Sequence, residues 1–237
     1  MVNRRLIRHA HMVNITRQIM ASGMRADFLK VDLLSRQVLA TARSAAFIRA
    51  RTPAGTDLCA EMDPAHQWLK TSGIISPNTW SNLPGGEVWT TPKEVNGVFV
   101  VDGVVGDYLC AKYGDLRADP LTIRVRGNRL VEAHCCNRSL EDEFWRYTHT
   151  DENSDRVGEF AIGTNTAVRE VIGNILQDEK IPGVHIAFGH PYGEHTGARW
   201  SSSTHIDVVG RNFDIWLDDR VIMRNGEFQM SALSPAV

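Results

Sequence analysis

The clearest fold signal in the chain is the stretch LTIRVRGNRLVEAH, residues 121–134. Apolar and polar residues alternate over Leu121–Arg126 and again over Arg129–His134, which is the pattern of a strand with one buried face. Gly127-Asn128 lies between the two runs and favours a tight hairpin turn. The sequence therefore predicts two antiparallel strands at this point.

Short runs of the same kind follow one another from residue 46 onward, separated by turn residues. Helices and strands do not alternate regularly, which favours an α+β fold over a doubly wound one. We predict a mixed, largely antiparallel twisted sheet with a few packing helices. The other predicted strands are Phe47–Arg51, Thr56–Glu61, Glu87–Thr91, Val98–Val101, Val157–Ile162, Val184–Gly189, Thr204–Val209, Phe213–Leu217 and Val221–Met223.

Residues 1–45 are predicted to be a helical segment that packs on the sheet of residues 46–237, so that the chain 1–237 forms a single domain. Apolar residues recur there at helical spacing in two stretches, and Asp32 is a suitable N-cap for the second. Helices are predicted over Leu6–Met20, Asp32–Ala45, Leu140–His149 and about Thr166–Gln177.

Composition and charge exclude several classes of protein. Hydrophobic residues make up 43% of the 237 residues, the usual share for a globular chain. The 26 basic and 28 acidic residues leave a formal net charge of −2, so no overall field attracts nucleic acid or an anionic membrane. No stretch approaches the roughly 18 apolar residues of a membrane span. We expect a cytoplasmic protein with reduced cysteines and with neither nucleic acid nor a membrane as partner.

Familiar catalytic motifs are absent from the sequence, including the phosphate-binding glycine loops, HExxH and GxSxG. His205 and Asp207 stand two residues apart in a predicted strand, so their side chains share one face. An imidazole and a carboxylate in this arrangement can converge on a cation. A solvated pair on the surface is the simpler alternative.

Three further ionisable residues stand in apolar strands. Glu87 begins one strand, Glu159 lies within Val157–Ile162, and His185 lies within residues 183–189. For His185 alone, a core histidine bonded to backbone carbonyls is the simpler alternative. An uncompensated buried carboxylate is costly, so each Glu must be paired, protonated or bound to a cation. A bound pair of metal ions would explain these residues together with His205 and Asp207.

The same segments resemble, in order and approximate spacing, the successive blocks of the aminopeptidase T/aminopeptidase S family of metallopeptidases, also described as thermophilic metalloproteases. The resemblance runs from about residue 10 to about residue 228 and covers only the C-terminal, catalytic part of the family's chain. The similar blocks are Gly55–Leu58, Asn82–Val88, Gly158–Asn165, Asp178–Lys180, His185–Gly189 and His205–Asp207.

The resemblance implies a dinuclear site that holds two divalent metal ions, Zn, Co or Mn, and an aminopeptidase that removes N-terminal residues from peptides. It also suggests a homodimer. Tyr192 takes the position of the family's active-site tyrosine. Glu159 is expected to be a metal ligand or a proton carrier. Glu87 or Asp207 is expected to be the carboxylate that bridges the two ions. The positions of the metal ligands are Glu87, Glu159, His185, His205 and Asp207.

Two departures from the family pattern widen the functional alternatives. The family's N-terminal domain has no counterpart in this sequence, and the stretch from His185 to His205 is short. This stretch holds three candidates for contacts with a peptide or small-molecule substrate, namely His190, His195 and Arg199.

Two other functions are compatible with the resemblance. Relatives of the family include iron-dependent enzymes that open dihydroxypyridine rings, so His185, His205 and Asp207 could instead hold one Fe(II) ion in a dioxygenase. That alternative leaves Glu87 and Glu159 without a cation. The third possibility is a metal-stabilised binding protein without turnover.

Overall fold

The computed structural model describes residues 8–77, 79 and 81–235, and it is built on two large β-sheets. One sheet has eight strands in the order β15-β14-β13-β2-β3-β7-β8-β9, and the other has five in the order β12-β11-β10-β6-β4, while β1 and β5 form a separate pair. The strands are β1 (Ala10–His11), β2 (Phe47–Arg51), β3 (Asp57–Glu61), β4 (Leu69–Thr71), β5 (Ser81–Asn82), β6 (Glu87–Thr90), β7 (Glu94–Val101), β8 (Leu121–Arg126), β9 (Arg129–His134), β10 (Val157–Gly163), β11 (Gly183–Gly189), β12 (His205–Val209), β13 (Asp214–Leu217), β14 (Arg220–Arg224) and β15 (Glu227–Phe228).

Almost all of the pairing is antiparallel, so the predicted α+β class is confirmed. The hairpin predicted from residues 121–134 is present, with Arg126 paired to Arg129 across the turn. The strand predicted at Phe47–Arg51 also has the expected bounds. These strands were predictable because buried and exposed side chains alternate along them.

Large apolar side chains from both sheets share one hydrophobic core cluster. The five-stranded sheet contributes Phe160, Ile186 and Ile206, and the eight-stranded sheet contributes Ile48 and Phe99, all fully buried. Each such side chain stabilises the fold by roughly 1.5–3 kcal/mol when buried. One face of the five-stranded sheet is therefore committed to the core, which leaves its other face available for polar residues.

Six helices surround the sheets within the described residues. They are α1 (Arg17–Ala21), α2 (Phe28–Ala42), α3 (Asp107–Tyr113), α4 (Arg138–Tyr147), α5 (Ile175–Asp178) and α6 (Gly193–Thr196). Helix α2 begins earlier than predicted because Asp27, not Asp32, accepts the backbone N–H groups of Leu29 and Lys30. Asp32 lies inside the helix, where its buried carboxylate pairs with Lys70 and Arg36. None of the helices in the described part is long and apolar enough to cross a membrane.

The helix predicted over Leu6–Met20 is wrong where the structure describes it, and residues 1–7 lie outside the described part. Ala10–His11 instead pairs as a strand with Ser81–Asn82, and helix begins only at Arg17. This pairing joins segments far apart in the sequence, so the local apolar spacing could not reveal it. Residues 1–45 thus contain a strand as well as helices.

The helix predicted over about Thr166–Gln177 is also wrong, because only Ile175–Asp178 is helical. Gly173 has a φ of +75°, which interrupts a helix, and the carboxylate of Asp178 accepts the N–H groups of Ile172 and Asn174. The segment therefore folds as a loop, and that loop leads directly into the residues of the site.

Candidate metal centre

The five predicted ligands lie on four neighbouring strands of the five-stranded sheet. Glu87 begins β6, Glu159 lies on β10, His185 on β11, and His205 and Asp207 on β12. In the strand register, Ala187 of β11 stands between Glu159 and Asp207. Since side chains directly opposite each other share a face, Glu159 and Asp207 project from the same face of the sheet.

Small residues leave room for this cluster. Ala161 stands opposite His185, Ala187 opposite Glu159 and Asp207, and Gly163 opposite Glu87. The residues that alternate with them on β10 and β11, such as Phe160 and Ile186, are large and point into the core. The core face of the sheet thus carries large apolar side chains, and the small residues of the other face leave space for the ligand side chains.

The Glu87 carboxylate is held in place by its neighbours. It follows Gly86, whose φ is +133° and where an added Cβ would lie 2.6 Å from the Cβ of Asn165. One oxygen, Oε1, accepts hydrogen bonds from the ammonium of Lys180 at 2.7 Å and from the hydroxyl of Thr71. The other oxygen, Oε2, lies 3.6 Å from Nε2 of His185, so it faces the cluster.

The ligand atoms of the five predicted residues fall into two groups that share one carboxylate. Glu87, Glu159 and His185 form one group, and Glu159, His205 and Asp207 form the other, with all ligand atoms of each group within 4.8 Å of one another. Oε1 of Glu159 lies 3.3 Å from Nε2 of His185, and its Oε2 lies 3.8 Å from Nε2 of His205. Glu159 therefore has one oxygen directed at each histidine, whereas Glu87 and Asp207 were the carboxylates expected to bridge.

Glu179 is a candidate ligand that the sequence analysis missed. It forms a third group with His185 and Asp207, again with ligand atoms within 4.8 Å. Its carboxylate also pairs with the Lys180 ammonium, whose side chain is 1% exposed. The available signal was the acidic Asp178-Glu179 pair just before a wholly buried strand, but Glu179 itself lies outside any strand and breaks no apolar pattern.

The electrostatics of the cluster favour positive charge. Burial opposes protonation of His205, but Asp207 and Glu159 outweigh it and raise the pKa of His205 to about 10. Burial also acts to lower the pKa of His185, but the negative charges of Glu159 and Glu87 outweigh it, so the pKa of His185 is raised. Burial raises the pKa of Glu179 to about 8 against the opposing charge of Lys180. A field of this sign attracts cations.

The histidines are oriented as metal ligands usually are. Nδ1 of His205 lies 2.9 Å from the backbone oxygen of His190, which directs Nε2 toward Glu159 and Asp207. Within the described residues, Nε2 of His185 is buried and makes no hydrogen bond, although two carboxylates lie nearby. Buried polar atoms without a partner are rare, and imidazole nitrogens with carboxylate oxygens are the donors that Zn²⁺, Mn²⁺ and Fe²⁺ bind. These residues therefore fit a divalent cation.

Tyr192 lies at the edge of the cluster in an unusual backbone conformation. Its φ of 47° and ψ of 52° are left-handed, and its N–H donates to Nδ1 of His190 at 3.0 Å. The ring packs 4.8 Å from the ring of His205 and 5.8 Å from that of Trp89, measured between centroids. Partial burial and the charges of Glu159 and Asp207 raise the pKa of Tyr192, so the hydroxyl is a proton donor at neutral pH. Strained conformations of this kind are concentrated at functional sites.

A cavity of about 650 Å³ opens beside the cluster and is lined by Glu87, Glu159, Glu179, Tyr192, His205 and Asp207. Of the predicted substrate contacts, His195 lines it. Among the described residues that line the cavity, neither His190 nor Arg199 appears. His190 instead makes hydrogen bonds with the N–H of Tyr192 and with Nδ1 of His205. The lining also includes Asp107 and the N-terminal residues His9, His11 and Val13, none of which sequence patterns indicated.

A family model described as thermophilic metalloprotease (M29) matches residues 34–228 of the chain. The chain belongs to this family. All five ligand positions inferred from the resemblance, and Tyr192, lie within the matched residues of this M29 chain. The family resemblance stated from the sequence is thereby confirmed. No curated protein sequence matches.

Two solved structures share the fold of this M29 chain. The 2,5-dihydroxypyridine dioxygenase from Pseudomonas putida KT2440 aligns with a TM-score of 0.68 and 17% identity, over 92% of this chain and 65% of that one. Wild-type AmpT from Thermus thermophilus aligns with a TM-score of 0.65 and 23% identity, over 90% of this chain and 57% of that one. The M29 chain thus spans less than two thirds of the length of either protein.

Proposed function

We propose that this chain is a metal-dependent hydrolase of the aminopeptidase type with a dinuclear centre. The observation that carries the proposal is the position of Glu159, which belongs to two of the three ligand groups and directs one oxygen at each histidine. In the proposal Glu87 and His185 complete one cation site, and His205 and Asp207 complete the other. Glu159 is then a bridging ligand and not a proton carrier.

The charge of the cluster supports bound cations. The three ligand groups contain four carboxylates, those of Glu87, Glu159, Glu179 and Asp207. The ammonium of Lys180 pairs with Glu87 and Glu179, whereas, among the described residues, Glu159 and Asp207 face only the histidines. Buried carboxylates are costly without a positively charged partner, which a bound cation would supply. Two divalent cations, when bound, would supply Lewis acidity at the scissile carbonyl and a lowered pKa for an attacking water.

Tyr192 is proposed to stabilise the developing negative charge on the carbonyl oxygen. Its phenol lines the cavity and stays protonated, so it can donate a hydrogen bond to an oxyanion. The bond from its N–H to His190 and the packing on His205 hold the ring beside the cluster. Because Tyr192 is not one of the predicted metal ligands, its contribution can be measured separately from metal binding.

Asp107 is proposed to bind the free amino group of the substrate, which is what distinguishes an aminopeptidase from an endopeptidase. Its carboxylate lines the same cavity and belongs to none of the three ligand groups. Within the part of the chain that the structure describes, it makes no hydrogen bond or ion pair. A substrate ammonium would give it a charge-assisted partner.

The Asp107→Asn variant tests this assignment with aminoacyl p-nitroanilides and their N-acetylated forms as substrates. We expect the wild-type protein to cleave only the free-amine forms, to lose activity with a chelator, and to regain it with Zn²⁺, Co²⁺ or Mn²⁺. The variant should raise KM roughly tenfold or more, the value of one charge-assisted hydrogen bond, with unchanged metal content. Asp142→Asn, an exposed position on α4, is the control. Equal cleavage of the acetylated forms would contradict aminopeptidase specificity.

The ring-cleaving alternative finds support in the fold that the chain shares with the dihydroxypyridine dioxygenase. It requires His185, His205 and Asp207 to meet at one Fe(II) ion. Among the described residues, however, no group of ligand atoms within 4.8 Å contains both histidines. The dinuclear arrangement is therefore the better supported of the two.

A further inference from the structure

Residues 9–14, which we call the N-terminal strap, span one side of the cavity and are anchored at both ends. At one end, Ala10–His11 pairs with Ser81–Asn82, and the carbonyl oxygen of His11 accepts the N–H of Leu83 at 3.0 Å. At the other end, the carbonyl oxygen of Asn14 accepts a hydrogen bond from the side chain of Asn174 at 3.2 Å. The strap thus joins the turn before Glu87 to the segment before α5.

Every second residue of the strap lines the cavity. His9, His11 and Val13 belong to the lining, whereas the intervening Ala10 and Met12 do not. This two-residue period is the one expected for extended chain. Met12 and Val13 are 40% and 41% exposed, so their side chains are equally accessible to solvent. They differ in that only Val13 faces the cavity.

Val13 and two apolar residues of α5 line the same cavity. Ile175 and Leu176 also line it, and both are otherwise buried, Ile175 in a core cluster with Val104 and Val209. The N–H of Glu179 donates to the carbonyl oxygen of Ile175 at 3.1 Å, so one helical turn separates this apolar corner from the ligand cluster. Most other lining residues are polar or charged.

We propose that Val13, Ile175 and Leu176 form a subsite that binds an apolar side chain on the first residue of a peptide substrate. The proposal rests on the proposed function, because the amino-terminal residue is the part of the substrate nearest the cations. Ile175 and Leu176 are fixed by the core, whereas Val13 lies on the strap and sets the width of the subsite. An apolar side chain is favoured there since its burial removes apolar surface from water on both partners.

The test compares leucyl and alanyl p-nitroanilides as substrates of the metal-loaded chain of residues 1–237. We expect the wild-type protein to prefer the leucyl substrate in kcat/KM by tenfold or more, because a few methylene groups in an apolar pocket give discrimination of this size. Val13→Trp should fill the subsite and remove most of that preference, by lowering kcat/KM for the leucyl substrate more than for the alanyl substrate. Met12→Trp adds the same bulk one residue away and should leave the preference unchanged.

A second measurement separates this proposal from the proposed function. Isothermal titration of the same proteins with L-leucine and L-alanine reports side-chain binding without turnover. If no anilide is cleaved, the proposed function fails, but tighter binding of leucine that Val13→Trp abolishes still supports the subsite. An unchanged preference in Val13→Trp, an equal loss in Met12→Trp, or absence of both cleavage and leucine binding would overturn the subsite.

Discussion

Charged residues are arranged in opposite ways on the two large sheets. On the eight-stranded sheet, Arg124 and Glu132 pair across β8 and β9 at 3.0 Å with side chains 47% and 52% exposed. Beside the five-stranded sheet, Lys180 and Glu87 pair at 2.7 Å with side chains 1% and 6% exposed. An exposed pair contributes at most about 1 kcal/mol, whereas a buried pair is costly to desolvate.

The difference indicates which sheet serves stability and which serves binding. Both sheets contribute one face to the same hydrophobic core, so they differ in the other face. On the eight-stranded sheet that face carries solvated pairs such as Arg49 and Asp57. On the five-stranded sheet it carries carboxylates and imidazoles around small residues such as Ala161, an arrangement that packing alone does not require.

The same substitution made in each sheet gives the largest expected contrast. Glu159→Ala should reduce hydrolytic activity to background and bound metal below one ion per chain, because it removes a ligand from both cation groups. Glu132→Ala should keep activity and metal and should change the free energy of unfolding by at most about 1 kcal/mol. Activity assays, elemental analysis and urea unfolding measure these effects. A Glu159→Ala protein that retains both activity and metal would remove Glu159 from the site.

A lysine in each environment provides the second contrast. Lys180→Met leaves Glu87 and Glu179 buried without their ammonium partner, so unfolding in the presence of a chelator should become easier by roughly 3–5 kcal/mol. Lys93→Met removes the exposed partner of Glu61 and should leave stability nearly unchanged, because exposed ion pairs contribute little. Urea denaturation followed by circular dichroism gives both values. An equal loss of stability in the two variants would contradict the proposed difference between the two sheets.

The third comparison removes a single hydroxyl group at each of two tyrosines, which is the smallest structural change of the three. Tyr192→Phe should lower kcat by roughly 10²–10³-fold, the usual loss for one oxyanion donor, and leave metal content unchanged. Tyr113→Phe removes a hydroxyl that bonds Glu143 outside the cavity and should not alter kcat. Steady-state kinetics with an aminoacyl p-nitroanilide distinguish them. An unaltered rate in Tyr192→Phe would assign Tyr192 to packing only.

The parts of the fold that depend on local pattern were predictable from the sequence. The strands Leu121–Arg126 and Arg129–His134 follow from alternation and a turn pair, and the structure has the same bounds. The prediction of a helix over about Thr166–Gln177 was wrong because the carboxylate of Asp178 accepts hydrogen bonds from the backbone N–H groups of Ile172 and Asn174, which hold a loop. The strand at Ala10–His11 depends on a partner some seventy residues away, which no local pattern reveals.

The residues of the candidate site also fall into those that the sequence pattern indicates and those that only the fold reveals. Glu87, Glu159 and His185 could be singled out because each is an ionisable residue in an otherwise apolar strand, and the structure brings them together. Glu179 and Asp107 follow or begin short helices and interrupt no such pattern, so only the folded chain shows that they face the cavity. Lys180 contacts both its sequence neighbour Glu179 and the distant Glu87, and only the first of these contacts follows from adjacency in the sequence.

The metal content of the chain, purified without added metal and measured by elemental analysis, tests the central claim most directly. The account predicts two divalent cations per chain, both removed by a chelator and both restored on titration with Zn²⁺, Co²⁺ or Mn²⁺. A single iron ion per chain would contradict the dinuclear centre and favour the ring-cleaving alternative. A chain that holds no metal and binds none on titration would contradict the account altogether.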